Sequence, residues 1–136
     1  MDSKTLAKKI AAIADKLKGS DIKILDLEKL SSFTDFFVIA SASSNRQTRA
    51  IADKIFEELK KEEIRPHSFE GYNEGNWILI DFVDVVVHIF LDEIRAHYDL
   101  EGFWTKAKKV PLRIKKSETK TSSRRKTKRP KSPRKN

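Results

Sequence analysis

Two apolar segments that follow one another between Trp77 and Leu91 constrain the fold of this chain most strongly. The first reads WILIDF, the second reads VVVHIFL, and a short break containing Asp84 separates them. Both are short and rich in β-branched and aromatic residues, which is typical of adjacent strands joined by a tight turn. Because both faces of each segment are apolar, we expect a central strand pair with other elements packed over both sides of a sheet.

Three other stretches have the pattern of helices. The first follows Ser3, which can serve as its N-cap, and has apolar residues three to four positions apart. The second starts at a capping box formed by Ser44 and Gln47, and it ends before Pro66. The third follows the apolar pair, where Asp92 suits the positive end of a helix dipole.

Three more strands are predicted, at residues 22–27, 35–42 and 67–70. The resulting order of elements is α-β-β-α-β-β-β-α. Helices alternating with strands in this way predict a single α/β domain, with a mixed β-sheet of about five strands and three main helices. A length of 136 residues is sufficient for one hydrophobic core.

The net charge of +9 combines two unlike parts of the chain. Residues 106–136 contain 15 Lys or Arg and one acid, giving +14, whereas residues 1–105 contain 14 basic and 19 acidic residues, giving −5. We therefore divide the chain into a folded domain, 1–105, and a basic tail, 106–136. Residues 115–136 hold no hydrophobic side chain, so this part of the tail is expected to be disordered on its own.

Basic clusters in the tail predict contact with RNA phosphates, the alternative being a solubilising tail without a partner. The residues assigned to this contact are Arg124, Arg125, Lys126, Lys128 and Arg129.

Several functions are disfavoured by the sequence. It has no cysteine, no apolar run long enough to span a bilayer and no secretory signal at its start, which predicts a soluble cytoplasmic protein without membrane contact. The acids near the apolar pair are explained by turn and helix-start preferences, so no metal site is predicted. No Asp-x-Asp pair or Gly-rich phosphate loop is present. The chain is therefore expected to lack catalytic residues and cofactors.

Aromatic residues and an arginine are concentrated around the apolar pair. Trp, Tyr and Arg are the side chains that most often anchor protein interfaces, although core packing is the competing explanation and is strongest for Trp77. The residues concerned are Tyr72, Trp77, Arg95, Tyr98, Phe103 and Trp104.

Residues 5–105 closely resemble the ribosomal silencing factor family, also called Iojap-like. The motifs that carry the resemblance are DFFVIAS leading into the RQ helix, WILID, DVVVH and the closing YDLEGFW. The resemblance implies a domain similar in topology to nucleotidyltransferases but without their catalytic acids. It also implies binding to the large ribosomal subunit through ribosomal protein L-fourteen, steric block of small-subunit joining, and repression of translation.

The same resemblance implies a set of partner-binding positions in this chain. Apolar contact is assigned to Trp77, Tyr98, Leu100 and Trp104, and contact with basic side chains of the ribosomal protein is assigned to Asp81, Asp84 and Glu93. His88 either donates a hydrogen bond to the partner or is satisfied within the sheet, and the second interpretation is preferred.

Two positions depart from the family pattern, because Val83 and Ala42 stand where the family tends to have glycine. A β-branched residue resists a positive φ, so the turn at Val83 is expected to be longer or of another type. Two alternative functions remain open, a nucleotidyltransferase-like enzyme and an RNA-binding module acting through the tail. The free protein is expected to be a monomer or a weak homodimer.

Overall fold

The structure is a computed structural model that describes residues 1–97 and 108–110. The described chain forms three helices and six strands. In order these are α1 (Ser3–Lys16), β1 (Ser20–Asp26), β2 (Phe36–Ala42), α2 (Asn45–Lys60), β3 (Ser68–Glu70), β4 (Trp77–Asp81), β5 (Val85–Leu91), α3 (Asp92–His97) and β6 (Lys108–Lys109).

The strands form one mixed sheet in the order β3-β4-β5-β2-β1-β6. Strands β2 and β5 are parallel, and the other neighbouring pairs are antiparallel. The predicted α/β fold with a mixed sheet is therefore confirmed, and the apolar pair forms the β4–β5 hairpin near its centre. All five expected strands are present, and β6 adds a sixth.

The two faces of the sheet are covered differently. Helices α1 and α2 pack on the first face, where Ile80, Val87 and Val38 belong to the larger core cluster. The second face carries a smaller cluster of Leu25, Leu27, Ile39 and Phe90, against which Phe37, Trp77 and Ile94 pack. Of the described helices, α3 supplies the contact to this second cluster through Ile94.

The helix starts follow from hydrogen-bonding geometry. The prediction that Ser3 caps α1 is wrong, because Asp2 has the extended backbone of an N-cap and its carboxylate accepts from the Thr5 N–H at 2.8 Å. Ser3 is instead the first helical residue. The predicted cap of α2 is correct, since the Ser44 hydroxyl accepts from the Gln47 N–H at 3.1 Å.

The β4–β5 turn corrects the expectation for Val83. This residue adopts a φ of 76°, and the Asp84 N–H donates to the Phe82 carbonyl at 2.9 Å, which is the pattern of a γ-turn with positive φ at its centre. The turn is therefore short and of another type, which was the second of the two expectations, whereas the expectation that Val83 avoids a positive φ is wrong. The Asp81 carboxylate accepts from the Val83 N–H at 2.7 Å and supports this conformation. Ala42, by contrast, pairs with Leu91 and needs no positive φ.

The edge of the sheet is closed by residues that follow the predicted domain. Lys109 and Lys108 pair with Leu25 and Asp26 of β1, and the Val110 N–H donates to the Ile24 carbonyl at 2.9 Å. The sheet thus includes residues of the segment 106–136, which the sequence assigned to the tail.

Candidate partner-binding surface

Trp77 lies on the second face of the sheet and is packed among other rings. It begins β4 opposite Phe90, and the Trp77 and Phe90 ring centroids are 4.9 Å apart. The Trp77 indole N–H donates to Nδ1 of His88 at 3.1 Å, and the half-buried indole contributes to the smaller cluster. Trp77 is therefore held in a defined orientation, with part of its surface accessible.

His88 is the buried polar centre of this face, being only 4% exposed. Phe37 packs edge-on against it, with ring centroids 4.5 Å apart. Burial lowers the pKa of His88 to about 4, so the imidazole is neutral at physiological pH. Because Nδ1 accepts from Trp77, the ring proton is assigned to Nε2, which has no hydrogen-bond partner among residues 1–97 and 108–110. The histidine thus orients Trp77 and lies beneath the accessible surface.

The three predicted acids lie at opposite ends of the sheet. Asp81 ends β4 and Asp84 follows in the turn, where it is exposed. Glu93 is exposed in the first turn of α3, beyond the other end of β5 and near the Trp77 end of β4. The four-residue advance from Trp77 to Asp81 corresponds to about 13 Å along the strand. Four of the five predicted residues in the described chain therefore form an extended surface with acids at both ends, and His88 is buried beneath it.

The other assigned positions lie outside the described residues. They are Tyr98, Leu100 and Trp104, assigned to apolar contact, and Arg124, Arg125, Lys126, Lys128 and Arg129 of the tail.

Arg95 and Tyr72, which the sequence grouped with the interface aromatics, make contacts within the domain. The Arg95 guanidinium donates to the Asp21 carbonyl at 2.6 Å and to the Ser41 hydroxyl at 2.8 Å, so it ties α3 to β1 and β2. The Tyr72 hydroxyl donates to the Asp53 carboxylate at 3.0 Å, and this bond raises the pKa of Tyr72. Both side chains therefore stabilise the domain.

The loop before Trp77 is fixed on the first turn of α2. The Asn45 amide donates to the Glu74 carbonyl at 3.0 Å, and Arg49 donates to the Asn73 carbonyl at 3.1 Å. Gly71 and Gly75 both have positive φ, which glycine tolerates. Consequently α2, which packs on the first face, helps to fix the position of Trp77 on the second face.

A group of exposed apolar residues was not anticipated from the sequence. Phe33 is 88% exposed, Val83 is 53% exposed and Leu30 is 41% exposed. The signal available in the sequence was an isolated phenylalanine within the polar segment Ser31 to Asp35. A single apolar residue in a loop does not distinguish packing from display on the surface.

The described part of the chain contains neither a membrane-spanning helix nor a cluster of metal ligands. None of its helices combines the length and apolar character needed to cross a bilayer. No three His, Asp or Glu side chains within 1–97 and 108–110 are grouped so that they could hold a metal ion.

The described chain is a small mixed α/β domain with an oriented, partly accessible tryptophan between acidic residues. The whole chain, residues 1–136, matches the model of the family described as "Ribosomal silencing factor during starvation". The chain belongs to this ribosomal silencing factor family, whose members are ribosome-associated regulators of translation.

Individual relatives agree with this membership. The chain is 38% identical over 104 residues to "Ribosomal silencing factor RsfS" of Bacillus subtilis, covering 76% of this chain and 88% of the relative. A mouse relative, "Mitochondrial assembly of ribosomal large subunit protein 1", is 33% identical over 88 residues, covering 62% of this chain and 39% of the relative. A crystal structure of a Chromobacterium violaceum protein superposes with a TM-score of 0.75 at 35% identity, covering 77% of this chain and 88% of that one.

Proposed function

We propose that this protein binds the large ribosomal subunit through ribosomal protein L-fourteen and prevents the small subunit from joining. Membership of the silencing factor family is the observation that carries this proposal. The name of the mouse relative, which refers to the ribosomal large subunit, favours the same subunit here. The protein would act on cytoplasmic ribosomes and repress translation in proportion to the fraction of large subunits that it occupies.

The second face of the sheet suits a ribosomal protein as its partner. Trp77 offers an oriented aromatic surface of the kind that anchors interfaces. Asp81, Asp84 and Glu93 place negative charge at both ends of that surface, and ribosomal proteins are typically cationic. Complementary charges of this kind accelerate association and fix the orientation of the partners. A bound domain of this size blocks a subunit interface without any chemical turnover.

The test is co-sedimentation of the full chain with purified large and small subunits, separately and together, at two salt concentrations. We expect stoichiometric binding to the large subunit and fewer joined ribosomes when both subunits are present. Equal and salt-sensitive binding to both subunits would instead identify an RNA-binding module acting through its tail. Binding to neither subunit would reject the proposal.

The acids provide a test at the level of residues. Asp84→Asn and Glu93→Gln keep the side-chain shape and remove charge at the two ends of the surface, so each should slow association with the large subunit. Glu57→Gln is the matched control, because Glu57 is equally a surface carboxylate but lies on α2, which packs on the other face. Equal effects of all three substitutions would indicate a general charge effect and reject the assigned contacts.

The basic tail is proposed to contact ribosomal RNA beside the docking site. Its charge of +14 against −5 for residues 1–105 supports a phosphate partner for the tail and a different partner for the domain. Deleting residues 115–136 should weaken binding and flatten its dependence on salt. An unchanged salt slope would reject the RNA contact. The free protein is proposed to be a monomer or weak homodimer, which sedimentation velocity tests directly.

A further inference from the structure

Three exposed apolar side chains lie at one end of the sheet, in two loops that adjoin each other. Leu30 and Phe33 belong to the loop between β1 and β2, and Val83 lies in the β4–β5 turn. We refer to these three residues as the Phe33 patch. The Asp84 carbonyl joins the loops by accepting from the Asp35 N–H at 2.9 Å and from the Phe36 N–H at 3.1 Å.

The backbone beneath the Phe33 patch is held by hydrogen bonds. The Leu27 N–H donates to the Asp35 carbonyl at 2.8 Å and closes the base of the longer loop. Within that loop the Ser31 hydroxyl accepts from the Phe33 N–H at 3.0 Å. Because the residues on both sides of Phe33 are held, its exposed ring is displayed from a fixed support, which reduces the entropy lost when a partner binds.

Val83 adds a second feature, a strained backbone conformation that is not offset by burial of its own side chain. A β-branched residue with φ of 76° carries conformational strain, yet its side chain is 53% exposed and gains little from burial. Strained positions of this kind concentrate at binding sites, where the structure uses them to place a side chain. The strain therefore points to a contact between the Val83 side chain and a binding partner.

The charge around the Phe33 patch identifies the chemistry of its partner. The two loops and the residues flanking them, 26–36 and 81–85, contain five carboxylates and a single cation, Lys29. The carboxylates are Asp26, Glu28, Asp35, Asp81 and Asp84. An apolar centre with an acidic rim is complementary to a protein surface with an apolar depression and a basic rim.

We propose that the Phe33 patch is the apolar centre of the end of the partner-binding surface that carries Asp81 and Asp84, with Phe33 as its anchor. The partner is a cationic protein surface that receives Phe33 and Val83 and pairs with Asp81 and Asp84. This inference rests on the proposed function and extends it, because it assigns binding energy to residues outside the set implied by the family resemblance.

Two other occupants fit the surface less well. RNA would place phosphates against the carboxylate rim, which repels them. A second copy of this chain, related by two-fold symmetry, would bring the two acidic rims together. A cationic protein is therefore the occupant that agrees with both the apolar side chains and the charges.

The experiment measures the affinity of the full chain for purified large subunits using the wild type, Phe33→Ala and Val83→Gly. We expect Phe33→Ala to weaken binding about tenfold or more, as truncation of an interface anchor does. Val83→Gly should weaken binding several-fold while leaving the fold at least as stable, because glycine accepts the positive φ. Thermal unfolding of each variant shows whether its fold is intact, and Glu57→Gln serves as a control distant from the patch.

The outcomes separate this inference from the proposed function. Failure of the wild type to bind large subunits would reject the proposed function, and this inference with it. Wild-type binding that Phe33→Ala and Val83→Gly leave unchanged would reject the Phe33 patch alone. Loss of self-association in these variants, with ribosome binding unaltered, would assign the patch to a second copy of the chain and overturn the proposal. A photo-crosslinker at position 33 that labels RNA instead of protein would overturn it as well.

Discussion

The Trp77 indole N–H donates to Nδ1 of His88 across the β4–β5 hairpin at 3.1 Å. These residues are not direct partners, since Trp77 lies opposite Phe90 and His88 lies opposite Leu79. The bond is therefore diagonal, between side chains on the same face. It fixes the tautomer of His88 and the direction of the indole together, so the surface proposed for partner binding depends on a buried residue beneath it.

The burial of His88 makes the stability of the fold dependent on pH. The folded-state pKa of about 4 is lower than the ordinary value of 6.5, so the unfolded chain binds a proton at a higher pH than the folded chain does. The stability that comes from the neutral imidazole is complete above about pH 6.5 and is lost as the pH falls toward 4. At about 1.4 kcal/mol per pKa unit, the full loss approaches roughly 3 kcal/mol.

Urea unfolding of the wild type and His88→Gln, at about pH 7.5 and about pH 5, measures how much His88 contributes to the pH dependence of the unfolding free energy. Glutamine does not titrate, and its side-chain oxygen can still accept a hydrogen bond from Trp77. We expect the wild type to lose more stability than the variant between the two conditions. His67 and His97 are exposed and common to both proteins. Equal losses would show that His88 does not set the pH dependence.

Trp77→Phe should destabilise the domain by about 1–3 kcal/mol, because it keeps an aromatic ring but leaves the buried Nδ1 of His88 without a donor. A double-mutant cycle with His88→Phe isolates the bond, since the double variant leaves neither polar group unpaired. We expect the double variant to be more stable than the sum of the single effects predicts. Strict additivity in urea unfolding would mean that the bond contributes nothing measurable.

The faces of the β4–β5 hairpin could be predicted because the two-residue period of a strand alone determines which of its side chains share a face. The period of two places Trp77 with Leu79 on one face of β4 and His88 with Phe90 on one face of β5, and the observed register brings these residues together on the second face. The diagonal bond between them could not be predicted, since it depends on sheet twist and on side-chain rotamers that the sequence pattern does not report. Predicting faces from sequence is therefore more secure than predicting contacts.

The errors at Ser3 and Val83 have a common physical cause. Asp2 and Ser3 are both good N-cap residues, and only the backbone conformation distinguishes them. At Val83 the local preference against positive φ is overcome by closure of the hairpin and by the Asp81 carboxylate. Strand β6 was missed as a strand because two lysines carry no strand signal. In each case a tertiary contact, which for Ser3 is the hydrogen bond that its hydroxyl donates to the Asp35 carboxylate at 3.1 Å, decides a conformation that the local sequence does not determine.

Gly71→Ala should disrupt the loop that delivers Trp77 to the sheet. A Cβ at position 71 would overlap the Trp77 carbonyl oxygen, and the glycine has a φ of 80°. Because the obstacle is backbone, no side-chain rotation relieves it, and we expect a loss of more than about 3 kcal/mol. Glu74→Ala, an exposed change in the same loop, is the control and should stay within about 0.5 kcal/mol. Similar melting temperatures for both variants would contradict the steric argument.

Val83→Gly should raise stability by about 1 kcal/mol, because relief of strain at a φ of 76° exceeds the entropic cost of adding a glycine. Val83→Ala removes the β-branch and keeps a Cβ, so the stability of this variant should lie between those of the valine and glycine proteins. Urea unfolding of the three proteins gives this order directly. If the valine protein were the most stable, its side chain would be contributing to the fold, and the strain could no longer be assigned to binding.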